Sequence, residues 1–269
     1  MHTRRVVTRR TWENQLMSTD SRRQPRYRVM RSVDRPVTET DSSWTRHSFS
    51  FGDHYDPANT HHGLLVVHNE EWLPPGGGYD THPHRDAEIV TWVLSGELEH
   101  VDSTGNAGIV RPGTAQRLSA GSGVRHSERN ASTITPVHFV QMQMVPDDPG
   151  GAPAYGQSPI TGRLVAGGLV PAVSGCDPDA AVLLGVRDAT MYVARPTSDR
   201  PLTLPSMRFG HLFVTRGGAL VTGSQIGEEH LDAGDAIRID DGGDETVRVA
   251  PGVDVAEVIL WAMQRRLGE

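Results

Sequence analysis

The sequence predicts an all-β protein that contains two related halves. Its 29 Gly and 18 Pro residues suit many tight turns better than a helical bundle. Short stretches rich in β-branched and aromatic residues recur between these turns, which is typical of a β-sandwich or a β-barrel. Two segments of the first half recur in the second half at one constant offset, which indicates a duplicated fold unit.

Residues 1–26 are rich in Arg and show no apolar periodicity. They lack the apolar core that a secretory signal needs, and we expect a disordered basic extension. A targeting peptide, a nucleic-acid-binding arm, or an over-long start before an initiator at Met17 are the alternatives. No function is assigned to this segment.

The N-terminal domain is predicted to span residues 27–145. Its strand candidates alternate in polarity or are rich in β-branched and aromatic residues, and they cover 28–33, 63–69, 88–94, 97–101, 109–113 and 137–144. The run of Pro and Gly at 73–78 predicts a loop, because these residues do not sustain a strand ladder.

The second half is predicted to begin after a linker. Residues 146–160 are rich in Pro, Gly and Asp and are assigned to this linker. The C-terminal domain then spans 161–269, and its first strand candidates are 162–165, 180–186 and 189–194.

The repeat between the halves has a fixed offset. Segment 213–217 resembles 92–96, and segment 231–239 resembles 110–118. In both alignments a glycine matches a glycine 121 residues later, since 217 − 96 and 234 − 113 both equal 121. Two landmarks at one offset favour a duplication over chance similarity.

Two pairs of potential metal ligands lie at 82–84 and 126–128. His82 and His84 are separated by one residue, as are His126 and Glu128, so in strands each pair points to one face. If the two strands face each other, three imidazoles and one carboxylate converge on a point that suits a divalent metal ion. The offset places Thr203, Pro205, Val247 and Val249 at the equivalent positions, so we expect no metal in the second half.

The first half resembles the pirin family of bicupins. The residues that carry the resemblance are His82-Pro83-His84-Arg85, Glu88, 96–100, Asp102-Ser103, Gly105-Asn106, Arg111-Pro112-Gly113, 120–123 and His126-Ser127-Glu128. The similarity is dense from about Val29 to Met144, weaker but collinear through the second half, and absent before Tyr27. It implies two cupin-type β-barrels with few short helices. The first of the two barrels is expected to bind metal.

The resemblance also implies a ligand set of His82, His84, His126 and Glu128. In many cupins the carboxylate ligand instead occupies the position of Glu88, and strand parity allows either glutamate. The expected ion is Fe(II), and Zn, Cu, Ni, Co and Mn suit the same donors. Asp86-Ala87 departs from the family pattern, and Asp86 either adds a negative charge near the site or points away from it.

The function implied by the resemblance is that of a metal-dependent dioxygenase. Such an enzyme uses O2 to open the heterocycle of a flavonol such as quercetin, and Glu128 or Glu88 is the candidate base for the flavonol proton. The alternative is a metal-binding, redox-sensing regulatory protein that acts through a protein partner without turnover. A metal-bound fold with neither role is a third reading.

Composition restricts the partners. Residues 1–35 hold ten Arg and three acidic residues, which gives them a net charge of +7. Since the whole chain has a net charge of −7, the remaining residues carry a net charge of −14. An acidic body argues against direct nucleic-acid binding.

No apolar run is long enough to span a membrane. With Cys176 as the single cysteine, no internal disulfide can form, and we expect a cytoplasmic monomer.

Overall fold

The structure is a computed structural model that describes residues 25–243, 245–252 and 255–269. The predicted extension 1–26 lies almost entirely outside the described residues. The described part is nearly all β, with one 3-10 turn at Ser32–Asp34 and one short helix, α1 (Thr161–Ala166). No helix in these ranges has the length and apolar character needed to cross a membrane.

The strands alternate with short turns along the whole described chain. In chain order they are β1 (Arg26–Met30), β2 (Val37–Glu39), β3 (Trp44–His47), β4 (Leu65–Leu73), β5 (Gly78–His84), β6 (Glu88–Ser95), β7 (Leu98–Asp102), β8 (Ala107–Val110), β9 (Thr114–Ser119), β10 (Val124–Asn130), β11 (Val137–Met144), β12 (Ala154–Pro159), β13 (Val170–Ser174), β14 (Val182–Leu183), β15 (Ala189–Ala194), β16 (Leu202–Thr203), β17 (Met207–Arg216), β18 (Gly218–Gly223), β19 (Gly227–Asp232), β20 (Ala236–Gly243), β21 (Arg248–Pro251) and β22 (Glu257–Met263).

Each half contains one seven-stranded and one four-stranded sheet. In the first half the strand orders are β12-β9-β6-β11-β4-β3-β2 and β5-β10-β7-β8. In the second half they are β1-β20-β17-β22-β15-β13-β14 and β16-β21-β18-β19. All pairings are antiparallel except that of β13 with β14. The predicted all-β class is confirmed. No sheet of the described residues closes on itself, so closure into barrels stays a prediction.

The two halves exchange edge strands. β1 lies in the interval predicted for the first domain, yet it pairs with β20 of the second half. β12 lies in the interval predicted as linker, yet it pairs with β9 of the first half over six residues. The Pro and Gly content of 146–160 predicted a loop, whereas an edge strand tolerates these residues because one side of its backbone needs no ladder bonds. These two strands therefore pair across the predicted boundaries, which themselves stay a prediction.

The core lies between the two seven-stranded sheets. Trp92, Met142, Phe213 and Trp261 are fully buried and belong to one apolar cluster drawn from both halves. The indole N–H of Trp261 lies 3.1 Å from the sulfur of Met142 across this contact. Burial on both faces explains why β22 and the buried part of β6 are mostly apolar and do not alternate.

The duplication is visible in the turns. Gly96 follows β6 and Gly217 follows β17, and their φ angles are +79° and +70°. A Cβ at either position would lie within 2.6 Å of a backbone oxygen, that of Pro136 or that of Val255. Only glycine fits such a turn without strain. The same residue therefore recurs at the same place in both halves.

Candidate metal centre

Strands β5 and β10 bring the two predicted ligand pairs together. They are antiparallel neighbours, with His126 opposite His82 and Val124 opposite His84. The ring centroids of His82 and His126 are 4.5 Å apart, and those of His84 and His126 are 5.0 Å apart. One ring nitrogen from each of the three histidines lies within 4.8 Å of the others. The structure thus places the three predicted imidazoles around one point.

Glu128 lies beside this cluster on the buried face of β10. A register shift in the pairing of β5 and β10 separates it from His126. Its carboxylate lies within 4.8 Å of donor atoms of His126 and His100, which form a second, fully buried group. The Gln141 side chain donates a hydrogen bond of 2.7 Å to Oε2 of Glu128. Burial raises the pKa of Glu128 to about 7, although this hydrogen bond opposes the shift.

Glu88 lies elsewhere. It is buried on β6, and its Oε2 accepts a hydrogen bond of 3.1 Å from the backbone N–H of Gly185 in the second half. Neither group of clustered donor atoms in the described ranges includes it. Asp86 also points away from the cluster, since its carboxylate accepts a hydrogen bond from the backbone N–H of Gly150.

A hydrogen-bond chain behind His126 determines which of its nitrogens is free. The hydrogen bonds that Thr104 and Asn106 donate to Asp102 outweigh the effect of burial and hold the pKa of Asp102 well below its usual range. This carboxylate therefore accepts the Nε2–H of His100 at 3.2 Å. Nδ1 of His100 then carries a lone pair and can accept a hydrogen bond. It lies 3.5 Å from Nδ1 of His126.

His126 consequently donates from Nδ1 and keeps a lone pair on Nε2. This Nε2 atom is buried and has no hydrogen-bond partner among the described residues. His82 is arranged in the same way, because its Nδ1 donates to the backbone oxygen of Asp80 at 2.8 Å. Unprotonated nitrogens whose opposite nitrogens are held by acceptors are what a metal ion requires of imidazole ligands.

Burial also favours the neutral form of His84 and His126, which is the form that binds a metal ion. Burial, followed by repulsion from His82, lowers the pKa of His84 to about 4. Burial, followed by repulsion from His82 and His84, lowers the pKa of His126 to about 3. Imidazoles beside a carboxylate suit a divalent cation, and four such donors would leave coordination positions available to other ligands.

A cavity of about 490 Å³ opens onto the cluster. His82, His84 and Glu128 line one side. The remaining lining residues are mostly polar, and they are Ser42, Thr45, Phe51, Asn69, Glu71, Gly78, Tyr79, Asp80, Gln141 and Gln143. Burial raises the pKa of Glu71 to about 7, while a hydrogen bond from Tyr79 opposes the shift.

The sequence analysis did not identify Glu71, Tyr79 or Gln141 as site residues. A signal was present, because Gln141 and Gln143 occupy alternate positions of a strand whose intervening residues are apolar. Polar residues on a buried face indicate a cavity or a site rather than solvent.

The equivalent strand pair of the second half is β16 with β21. Its register places Thr203 opposite Arg248 and Leu202 opposite Val249. Val247 and Val249 are buried in an apolar cluster with Leu202. The offset of 121 residues is thus correct to within one position at this site, and the residues there fill space where the first half carries imidazoles.

Comparison with known proteins agrees with this geometry. The family model for pirin matches residues 27–144. A Mycobacterium bovis protein named "Putative quercetin 2,3-dioxygenase" is 47% identical over 242 residues, which cover 90% of this chain and 96% of that protein. A "Pirin-like protein" of Caulobacter vibrioides is 35% identical over 224 residues, which cover 82% and 93%.

A solved structure shows the same fold. The Escherichia coli bacterial pirin YhhW, crystallised in complex with nickel(II), aligns with a TM-score of 0.79 and 27% identity. The alignment covers 89% of this chain and all of YhhW. Together with the relatives at 35% and 47% identity, it establishes that the chain belongs to the pirin family.

Proposed function

We propose that this pirin-family protein is a metal-dependent dioxygenase that uses O2 to open the heterocycle of a flavonol such as quercetin. The observation that carries the proposal is a cluster of three imidazoles, of which His126 also lies with the buried carboxylate of Glu128, beside a cavity of about 490 Å³ that could hold an aromatic ligand. The name of the M. bovis relative supports the same activity.

The proposed ligands are His82, His84, His126 and Glu128. Glu128 is preferred to Glu88 because its carboxylate lies with His126, whereas that of Glu88 is bonded to Gly185. We propose Fe(II) as the ion, with Zn, Cu, Ni, Co and Mn as alternatives that the same donors accept. When bound, a divalent ion at these residues would supply Lewis-acid chemistry toward an oxygen-bearing ligand.

The residues of the chain have three tasks in this proposal. The chain from Asp102 through His100 fixes the orientation of His126. Asn69, Glu71 and Glu128 form a buried part of the wall, against which a substrate would be shielded from water. Glu128 accepts the proton of the flavonol hydroxyl, a role that suits a carboxylate whose pKa burial has raised to about 7.

Oxygen consumption tests the proposal. The protein is stripped with a chelator, reloaded separately with Fe(II), Cu(II), Ni(II), Co(II) and Mn(II), and mixed with quercetin in an oxygen electrode. We expect uptake with at least one ion, and no uptake despite stoichiometric metal binding would contradict a dioxygenase. That outcome would favour the alternative, a redox-sensing protein that acts through a protein partner.

Metal content of variants tests the ligand set. We expect His126→Ala and Glu128→Ala to lose the ion and Glu88→Ala to retain it. Loss of metal from Glu88→Ala with retention in Glu128→Ala would show that the wrong glutamate had been assigned.

A further inference from the structure

The wall of the cavity that faces the histidines is polar and buried. Asn69 and Glu71 on β4 are each only 3% exposed. Gln141 and Gln143 on β11 continue this wall, and Gln141 is the cross-strand partner of Asn69. On the opposite face of β11, Val140 and Met142 pack into the core between the halves. The amides and the carboxylate therefore occupy positions at which a cavity-free sheet would bury apolar side chains.

Glu71 is not one of the proposed metal ligands, yet its side chain lines the cavity. The hydroxyl of Tyr79 donates a hydrogen bond to Oε2 of Glu71 and also lies 3.3 Å from Oγ1 of Thr45. A tyrosine bonded in this way fixes the direction of the carboxylate. Burying a carboxylate without a cationic partner is costly, so a ligand that donates a hydrogen bond to it gains correspondingly.

The electrostatics of the cavity disfavour a ligand carboxylate beside Glu71. Glu128 belongs to the proposed metal set and Asp80 is paired with Arg129, whereas Glu71 has no Arg among the residues that line the cavity. A ligand carboxylate placed against Glu71, away from the proposed metal, would meet this acid without a cation to pair with. A neutral hydroxyl group would find acceptors in Glu71 and in the amides.

The mouth of the cavity offers an aromatic face. Phe51 lines the cavity, is 43% exposed and stacks on His47 with ring centroids 5.0 Å apart. An aromatic ring packed against Phe51 would present its substituents to the polar wall.

We propose that Glu71 is a substrate-binding residue that accepts a hydrogen bond from a phenolic hydroxyl group and thereby selects neutral, polyhydroxylated aromatic ligands over ligands that bring a carboxylate to the same position. The proposal rests on the proposed function of the site. It assigns Glu71 a role in specificity that is separate from metal binding and from removal of the flavonol proton by Glu128.

Binding of ligands to the nickel-loaded protein without O2 tests the role of Glu71. Calorimetry compares quercetin with galangin, which has the same flavonol unit but lacks the two B-ring hydroxyls. Glu71→Gln is expected to lower the affinity for quercetin about 10- to 100-fold, the range for a hydrogen bond to a charged group. The affinity for galangin should fall much less. Equal losses for both flavonols, no loss for either, or failure of the unchanged protein to bind quercetin would each overturn the proposal.

A second pair of ligands tests charge selection. 4-Methylcatechol and 3,4-dihydroxybenzoate share the diol and differ in a methyl group against a carboxylate. We expect the unchanged protein to prefer 4-methylcatechol at least 10-fold, and Glu71→Gln to narrow this preference. Equal affinity of the unchanged protein for the two would contradict the exclusion of carboxylates.

Controls separate this result from damage to the site. Tyr79→Phe keeps the ring and removes the hydroxyl that orients Glu71, so it should show a smaller loss for quercetin in the same direction. Glu99→Gln changes an exposed carboxylate on β7 and should change nothing. Nickel content must be equal in all variants. Because no O2 is present, failure of the dioxygenase proposal would appear only in the oxygen electrode and would leave these measurements valid.

Discussion

Nδ1 of His100 lies 3.5 Å from Nδ1 of His126, and Nε2 of His100 is held 3.2 Å from the carboxylate of Asp102. This relationship gives His126 its tautomer, because an imidazole that accepts at Nδ1 obliges its neighbour to donate there. The other nitrogen of His126, Nε2, is buried and has no partner among the described residues. Asp102 thus acts on the cluster through His100, without belonging to either group of clustered donor atoms in the described ranges.

Replacing Asp102 with Asn should weaken metal binding. The amide can donate to His100 and reverse its tautomer, which would deprive His126 of its acceptor. Loss of such an outer hydrogen-bond partner typically lowers metal affinity about 10- to 100-fold. Competition with a chromophoric chelator measures the affinity for Ni(II), and far-UV circular dichroism monitors folding. An unchanged affinity in Asp102→Asn would show that His126 does not depend on this chain, and Glu99→Gln on the same strand is the matched control.

Acid should loosen the contact between the halves through His211. This side chain is fully buried, neither ring nitrogen has a partner among the described residues, and its ring centroid lies 4.6 Å from that of His68. Burial, with added repulsion from His68 and Arg238, holds the pKa of His211 well below its usual range. The unfolded chain therefore takes up this proton first as the pH falls below about 6.5.

The expected cost is about 1.4 kcal/mol of unfolding free energy per pH unit below that point, and none above it. Urea unfolding of the metal-free protein at pH 7, 6 and 5 measures the slope. His211→Leu should reduce the slope by about that amount, whereas His230→Gln, at an exposed position, should not. An identical slope in His211→Leu would mean that His211 is not buried as an uncharged group.

Truncating Trp261 should destabilise both halves together. The indole is fully buried between the seven-stranded sheets and contacts Met142 of the other half. Trp261→Ala should lower the free energy of unfolding by about 3–5 kcal/mol, as large-to-small changes in cores do. Leu183→Ala, at a side chain that is 66% exposed, should cost less than about 0.5 kcal/mol. Urea denaturation followed by fluorescence and by circular dichroism gives both values, and a loss below about 1 kcal/mol for Trp261→Ala would argue against a shared core.

Gly96 and Gly105 form a matched pair for testing the duplicated turn. Both have positive φ angles, +79° and +94°, so alanine is strained at either position. A Cβ at Gly96 would also lie 2.6 Å from the backbone oxygen of Pro136, whereas one at Gly105 would meet nothing within 4 Å. Gly105→Ala should cost about 1–2 kcal/mol, and Gly96→Ala clearly more. Equal losses in thermal unfolding would show that the contact with Pro136 relaxes freely.

The sequence was most informative where a pattern is local. Alternation and spacing predicted that His82 and His84 share one face of a strand, because side-chain direction in a strand follows from position alone. That β5 and β10 are paired neighbours in one sheet was not contained in this pattern. The choice between Glu88 and Glu128 was not local. Parity allowed both, and the contact that distinguishes Glu88, its hydrogen bond from Gly185, depends on the packing of the second half.

Two further features could not be predicted, for a related reason. Glu71 faces the cavity because β4 lies between β11 and β3, which is a fact of sheet order and not of composition. β12 was predicted as linker because its Pro and Gly residues suit a loop and an edge strand equally well. Long-range pairing decides such cases, and a single sequence contains little information about it.

The exchange of β1 and β12 has a consequence for any attempt to dissect this protein. Cutting the chain between residues 145 and 146 would leave each fragment carrying the border strand of its counterpart. Each fragment alone would expose an unpaired sheet margin and be prone to aggregate. When the two fragments are mixed, they should reassemble without a covalent link. The protein is therefore suited to a split reporter, in which recovery of metal binding reports that the two fragments have associated.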